Sequence, residues 1–265
     1  MKIGVIGVGV VGGAIQSGFE RLGHEVSIHD IKLNTTIDSI IDSEIVFLCV
    51  PTPQGDDGSC DTSIITSVLS ELSNKSYTGI VAIKSTVECG FTQTAIDEYM
   101  NLTLCFVPEF LRERCALDDF IHNHNLLAVG THDKFVFDKL VEAHGHYPKD
   151  TAKLKPTEAE ILKYYNNVFA AYKIIFANIM SEVCGKLNCD YTTVKDAFIK
   201  FGRCKDTYLD VNENLKGYGG MCLPKDVKAM SQLLEKLNID FDTLKSIDKD
   251  NSKLKTTVFN GMRKQ

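Results

Sequence analysis

The apolar positions fall into two regimes along the chain. Over about the first 150 residues, short β-branched runs alternate with stretches of helical spacing. "KIGVIGVG" at the amino terminus, "HEVSIHD" (24–30), "EIVFLCV" (44–50), "GIVAIKS" (around 80–86), "LTLCFV" (102–107) and "NLLAVG" (125–130) have the length and composition of strands. A first helix carries Ala14, Ile15, Phe19 and Leu22 and stops at Gly23, and further helices are predicted at about 61–73, 90–100 and 133–143. Strands that are apolar on both faces and alternate with helices predict a parallel, doubly wound α/β sheet.

Near Pro156 the pattern changes. From Thr157 to Leu187 apolar residues recur at helical spacing, with no glycine before Gly185. A helix that long belongs to a core or an interface. Further helices are predicted at 191–200, at 224–237 and from 240 onward, with a loop over 202–223. The division predicts two domains, a sheet domain over 1–150 and an all-helical one over 151–265.

Composition narrows the class. The chain has 265 residues, 44% of them hydrophobic and 24% charged, with a net charge of −6. That suffices for a sizeable core and argues against nucleic acid as the main partner. No uninterrupted apolar run has the length of a membrane span, and the amino terminus reads as a strand rather than a signal peptide. Nine cysteines, an odd number without C-x-x-C spacing, fit a reducing cytoplasm and predict small core thiols. His122 and His124 lie in a loop without further ligands, so no metal is expected there. His144 and His146, in "HGHYP", read as surface or capping groups at a helix end.

The first chemical motif is Gly7-x-Gly9-x-x-Gly12, set directly between the first strand and the first helix. The first glycine permits a tight turn. The second lets the backbone approach a pyrophosphate, and the third lets helix and strand pack closely. The helix start at Val10 and Val11 would receive the anion on its open N–H groups. Asp30 ends the second strand, where a carboxylate accepts hydrogen bonds from ribose hydroxyls. That favours NAD over NADP, while Lys32 close by pulls the other way. The fold expected is a Rossmann-type doubly wound parallel sheet followed by an all-helical domain.

The second is "GYGGMCLPKD" (217–226). Pro224 suits the first turn of a helix, which puts Cys222 just before a helix amino terminus with Lys225 near it. Partial positive charge there raises the thiolate fraction of a cysteine. On these residues alone, Cys222 is equally well read as a nucleophile or as a buried thiol at a helix entry. Lys163 and Asn167 lie four apart on the long helix and so on one face, where a lysine and an amide can hold a developing oxyanion. A solvated lysine beside a surface asparagine is the plainer reading of the same pair.

Gly7–Gly12, "VPTP" (50–53), "KSTV" (84–87), "PEFLRE" (108–113), "AEILKYYNN" (159–167) and "GYGGMCLPKD" occur in this order. Together they resemble the UDP-glucose/GDP-mannose dehydrogenase family, over nearly the whole chain. The resemblance implies NAD-dependent oxidation of the C6 alcohol of a nucleotide sugar to a carboxylate, in two hydride transfers. It implies Cys222 as the nucleophile that forms a thioester, Lys163 and Asn167 as oxyanion partners, and Asp226 as the group that orients water. Thr86 would hold that water and Glu109 would act as acid–base group. It further implies cofactor contacts at Val50, Pro51, Thr52, Ser85, Thr86 and Lys225. Substrate contacts are implied at Phe110, Leu111, Lys163, Asn167, Lys216, Tyr218 and Gly219. A homodimer joined through the central helices, without membrane or nucleic-acid partners, completes the expectation. Two features depart from the family pattern. The segment before the glycine cluster lacks the usual proline–glycine pair, and Leu126 stands where many relatives carry arginine. Relatives also continue through a long helix into a second α/β domain that holds the nucleotide, whereas the residues after Asp226 here reach only into that helix. Other readings of the same residues are a β-hydroxyacid-type dehydrogenase and a non-catalytic NAD-binding remnant.

Overall fold

A computed structural model describes residues 1–55, 58–212 and 214–254. The chain forms two compact units. One holds Met1–Gly55 and Cys60–Lys163, the other the chain from Tyr164 onward with a short piece ending at Ser59.

The first unit is built on a seven-stranded sheet of order β2-β1-β3-β4-β5-β6-β7. Its strands are β1 (Lys2–Ile6), β2 (Glu25–His29), β3 (Ile45–Leu48), β4 (Ile80–Ile83), β5 (Thr103–Phe106), β6 (Leu127–Gly130) and β7 (Thr151–Leu154). The first five are mutually parallel, with Ile6 beside Leu48, Leu48 beside Ile83 and Ile83 beside Phe106. β6 runs antiparallel to β5, and β7 parallel to β6. Helices α1 (Val10–Arg21), α2 (Ser63–Asn74), α3 (Phe91–Glu98), α4 (Ala116–Ile121) and α5 (Lys134–His144) join the strands. β3, β4 and β6 are buried at every residue, so strand alternation feeds two cores. Val5, Phe47, Ala82 and Cys105 enter one, with Phe19 and Phe120. Val46, Leu48, Val81 and Ile83 enter the other, under Ile65, Leu69 and Leu72 of α2. Each buried Val, Leu, Ile or Phe side chain among them contributes about 2 kcal/mol by leaving water.

The sheet extends beyond the boundary expected at 150, because β7 pairs along its length with β6. The reading of His144 also needs correction. It is fully buried, its ring in edge contact with Phe19 and Phe47, and Nδ1 donates to Leu140 O at 2.7 Å. The ring of His124 lies 5.6 Å away. Burial holds His144 well below the usual histidine range and His124 down at about 4. Both rings are therefore neutral in the fold and titrate near 6.5 when unfolded. Their contribution is complete above about pH 6.5 and is lost as pH falls below it, at up to about 1.4 kcal/mol per pH unit for each ring. Urea midpoints measured from pH 7.5 to 5 are expected to drop steadily below pH 6.5, and less steeply in His124→Gln.

The second unit is helical. α6 (Pro156–Lys186) starts in the first unit and continues through the second, followed by α7 (Tyr191–Lys200), α8 (Leu223–Lys236) and α9 (Thr243–Lys253). Asp190 caps α7 by accepting from Thr192 N and Thr193 N. Lys195 of α7 is buried under Asp206 and Asp210, at 3.1 and 2.5 Å, which ties the following loop to the helix. Ala171 and Ile175 of α6 pack with Tyr218, Val227 of α8, and Leu244 and Ile247 of α9.

Candidate active site

In the sheet unit, the expected residues collect where the parallel strands end. The chain moves outward from β1 to β2 and returns to β3 on the other side of β1. Ligands of open α/β sheets bind at such a reversal, outside the carboxyl ends of the strands. The glycine loop lies there, and each glycine meets a different demand. Gly7 has φ +89°, and a Cβ on it would lie 2.7 Å from Cys49 O. A Cβ on Gly12 would lie 1.9 Å from Gly7 O, so any side chain there pushes α1 off the turn. Gly9, the cap of α1, faces open space, with nothing within 4 Å of its would-be Cβ. Asp30, just past β2, accepts from Val8 N at 2.7 Å and Lys32 N at 2.8 Å. These backbone bonds hold its carboxyl below the usual range and fix it beside the glycine loop.

The contrast between Gly9 and Gly12 is testable. Gly9→Ala is expected to leave the melting temperature unchanged and weaken NAD binding by calorimetry, since its methyl enters ligand space. Gly12→Ala is expected to lower the melting temperature itself, as backbone must move.

Val50, Pro51 and Thr52 follow β3, and Ser85 and Thr86 follow β4. Ser85 is buried and donates to Val50 O at 2.7 Å, so it ties the two loops together. Thr86 O accepts from Cys60 Sγ at 3.1 Å. Lys84, buried at the end of β4, sits 6.0 Å from the centre of the Phe47 ring, and burial lowers its pKa. Beyond β5, Glu109 meets Lys163 of α6. Lys163 Nζ donates to Glu109 Oε1 and to Glu109 O, both at 2.7 Å, and Glu109 Oε2 accepts from Leu111 N at 2.8 Å. Only 4% of the lysine side chain and 10% of the glutamate are exposed. Burial opposes the charge on Glu109, but Lys163 and the Leu111 amide outweigh it and hold the carboxyl below its ordinary value. Phe110 lies 5.9 Å from Lys163 Nζ, measured to the ring centre.

In the helical unit, Asn167 of α6 donates through Nδ2 to Asp226 Oδ2 at 2.6 Å, and Asn166 Nδ2 donates to Asn167 Oδ1 at 2.9 Å. Asp226 is fully buried, in the first turn of α8, and its other oxygen is 3.1 Å from Lys225 Nζ. Cys222 caps α8 and is exposed, and its carbonyl accepts from Asp226 N at 2.9 Å. Pro224 stands in the first helical turn. By contrast, burial pushes the thiols of Cys49, Cys89 and Cys105 up to about 12, which keeps them protonated and inert.

Two expected substrate groups are committed elsewhere. The Tyr218 ring is 1% exposed, inside the helical core, and Lys216 is ion-paired with Glu182 of α6. Two further buried polar residues have no role in the sequence reading, although Glu160 stands inside the motif "AEILKYYNN". Glu160 of α6 is buried and accepts from Gly90 N and Thr92 N at the start of α3, at 2.6 and 2.7 Å. Asn251 of α9 is the other.

Two family models match the chain. The NAD binding domain of the UDP-glucose/GDP-mannose dehydrogenase family matches residues 28–144, and the central domain of that family matches 157–253. The chain belongs to the UDP-glucose/GDP-mannose dehydrogenase family. It is 30% identical to the UDP-glucose 6-dehydrogenase AglM of Haloferax volcanii, across 87% of this chain and 64% of that protein. It is 28% identical to the GDP-mannose 6-dehydrogenase of Pseudomonas aeruginosa, across 83% of this chain and 54% of that one. Among solved structures, a UDP-glucose dehydrogenase from the archaeon Pyrobaculum islandicum superposes with a TM-score of 0.87 at 26% identity, covering 95% of this chain and 68% of that chain. The chain thus spans less than two thirds of these curated relatives. As a member of the family it carries an NAD-binding domain. The glycine loop fits that cofactor: Gly9 leaves the space open, the start of α1 offers N–H groups to a pyrophosphate, and Asp30 stands where a ribose is held.

Proposed function

We propose that this chain is an NAD-dependent nucleotide-sugar 6-dehydrogenase acting on UDP-glucose, through a thioester on Cys222. The observation that carries the reading is the pair of buried polar contacts, Lys163–Glu109 and Asn167–Asp226. Burying four such groups costs desolvation energy that an apolar core would not, and clusters of this kind concentrate at functional sites.

Two NAD molecules, bound in turn, would supply the hydride acceptors, one for the oxidation of the C6 alcohol to the aldehyde and one for that of the thiohemiacetal. Cys222 adds as thiolate to the aldehyde carbon, forming the C–S bond of a thiohemiacetal, whose oxidation leaves a thioester. Lys163 stabilises negative charge on the sugar oxygen, and Asn167 adds a second donor. Asp226, held by Asn167, orients the water that cleaves the C–S bond. Thr86 positions that water and Glu109 takes its proton, which releases the carboxylate and returns the thiol. Pro51, Thr52, Ser85 and Lys225 serve the cofactor, and Phe110, Leu111 and Gly219 the sugar. The reading places the enzyme in the cytoplasm, in keeping with its odd, unpatterned set of nine cysteines.

The test is to incubate the protein with NAD and a panel of nucleotide sugars and to follow the absorbance of reduced cofactor. Turnover of UDP-glucose is expected. NAD binding without turnover of any sugar would sink the reading and favour a non-catalytic role.

We further propose a homodimer. Tyr165, Phe169, Tyr172, Phe176, Ile179 and Val183 recur every three or four residues along α6, each 41–70% exposed. By length and composition α6 would also suit a bilayer, yet its opposite face packs in a protein core through Ala171 and Ile175. A second copy of the same helix is the occupant that suits a self-complementary apolar stripe. Sedimentation at micromolar concentration is expected to show a dimer, and Phe176→Glu a monomer.

A further inference from the structure

The glycine loop before Cys222 is held from one side by a residue that the family motifs leave out. Asn251 of α9 is 7% exposed, and its side-chain amide meets both backbone polar groups of Tyr218. Tyr218 N donates to Asn251 Oδ1 at 2.7 Å, and Asn251 Nδ2 donates to Tyr218 O at 2.9 Å. Only one orientation of the amide satisfies both bonds, so its oxygen and nitrogen are assigned by their partners. The loop is shaped to admit it. Gly217 has φ +84°, and a Cβ there would lie 2.5 Å from Asn251 Oδ1. The Tyr218 side chain is fixed as well, with its ring in the core against Val227, Leu244 and Ile247 and its hydroxyl 3.4 Å from Asp248 Oδ1, one turn before Asn251.

Beyond Tyr218 come Gly219 and Gly220, the latter at φ +80°, then the exposed Met221, and then Cys222. Two glycines place little restraint of their own on the chain. Tyr218 is therefore the last firmly held point before the thiol. We propose that Asn251 is a positioning residue for the cysteine loop: by clamping the Tyr218 backbone it fixes where Cys222 Sγ is presented. The proposal rests on the reading of Cys222 as the nucleophile. It adds that α9, which touches no expected reacting group, governs the rate of the thiol step.

The test compares the full chain with Asn251→Ala and Asn251→Asp. The aspartate keeps an acceptor for Tyr218 N–H but turns an oxygen toward Tyr218 O. Three readouts are taken: deuterium exchange at the Tyr218 amide, iodoacetamide labelling of Cys222 against the other exposed cysteine, Cys189, and kcat with the KM for NAD. In Asn251→Ala Tyr218 exchange is expected to quicken by about tenfold or more, the worth of one ordinary hydrogen bond, and in Asn251→Asp, which keeps that acceptor but repels Tyr218 O, in the same direction by less. Cys222 labelling changes several-fold while Cys189 labelling does not. A thiol displaced by about 1 Å lowers kcat on the order of 100-fold, with the KM for NAD unchanged. If Asn251→Ala does not fold, Gly217→Ala presses on the clamp from the other side and is expected to give the same three changes. Unchanged Tyr218 exchange, or unchanged Cys222 labelling despite faster exchange, overturns the proposal. Absence of turnover in the wild type counts against the dehydrogenase reading alone, because exchange and labelling judge the clamp without it.

Discussion

Cys222→Ser is expected to reduce sustained turnover on the order of 1,000-fold or more while leaving NAD affinity unchanged. An alcohol at this position is essentially un-ionised near neutral pH and cannot form a thioester, so removal of the nucleophile carries its full penalty. The thiol is exposed at the cap of α8. NAD affinity should hold because the glycine loop and Asp30 belong to the sheet unit, whereas Cys222 belongs to the helical one. Cys189→Ser is the control, since Cys189 is the other exposed cysteine. Equal loss in both variants would point to a general effect of removing surface thiols. Full activity in Cys222→Ser would remove the nucleophile from the account.

Lys163→Met is expected to damage stability as well as activity. It leaves Glu109 as a buried carboxylate with the Leu111 amide and the more distant charge of Lys84 to offset its own. Removing one partner of a buried ion pair costs about 3–5 kcal/mol, a fall of roughly 10 °C in melting temperature for a chain of this size. The pH dependence has a definite sign. In the wild type the Glu109 carboxyl is held below its ordinary value, so its contribution is present above about pH 4.3 and is lost as pH falls through the folded pKa. Without Lys163, burial dominates and the folded pKa rises above that of the unfolded chain. The variant's deficit should then shrink as pH falls toward 5, where Glu109 takes up a proton. Glu109→Gln combined with Lys163→Met should recover part of the loss, because no lone charge remains buried. Denaturant midpoints at pH 5 and 7.5 for the wild type, Lys163→Met and the double variant measure this directly. A deficit independent of pH would mean that Lys163 acts through packing alone.

The strands that could be read from the sequence are β1 to β6, including the half-buried β2, where Val26 and Ile28 alternate with polar residues. β3 and β4 carry unbroken apolar runs, and the helices α2, α5 and α6 carry a clear period. β7 was not legible because "TAKL" lies at the sheet edge, where alternate residues are exposed and the apolar run breaks. α4 is too short to show a period, and the antiparallel direction of β6 leaves no trace in apolar spacing. In the site, Gly7 and Gly12 could be read because the strand–turn–helix motif itself demands them, through the positive φ of Gly7 and the close approach of Gly12 to Gly7 O, whereas the contact of Gly7 with Cys49 O, 42 residues on, leaves no mark in the spacing. The contact between Glu109 and Lys163 spans 54 residues, and that between Tyr218 and Asn251 spans 33, so spacing along the chain says nothing of either. Tyr218 shows the opposite difficulty. Its motif suggested a substrate contact, but an aromatic ring with a polar end serves a core equally well, and here the core takes it.

The central claim is a four-electron oxidation through a cysteine thioester. It is tested most directly by counting reduced cofactor formed per mole of UDP-glucose consumed, with the sugar product identified by mass spectrometry. Two equivalents of reduced NAD and the sugar carboxylate are the predicted result. One equivalent with the aldehyde as final product would contradict the thioester account.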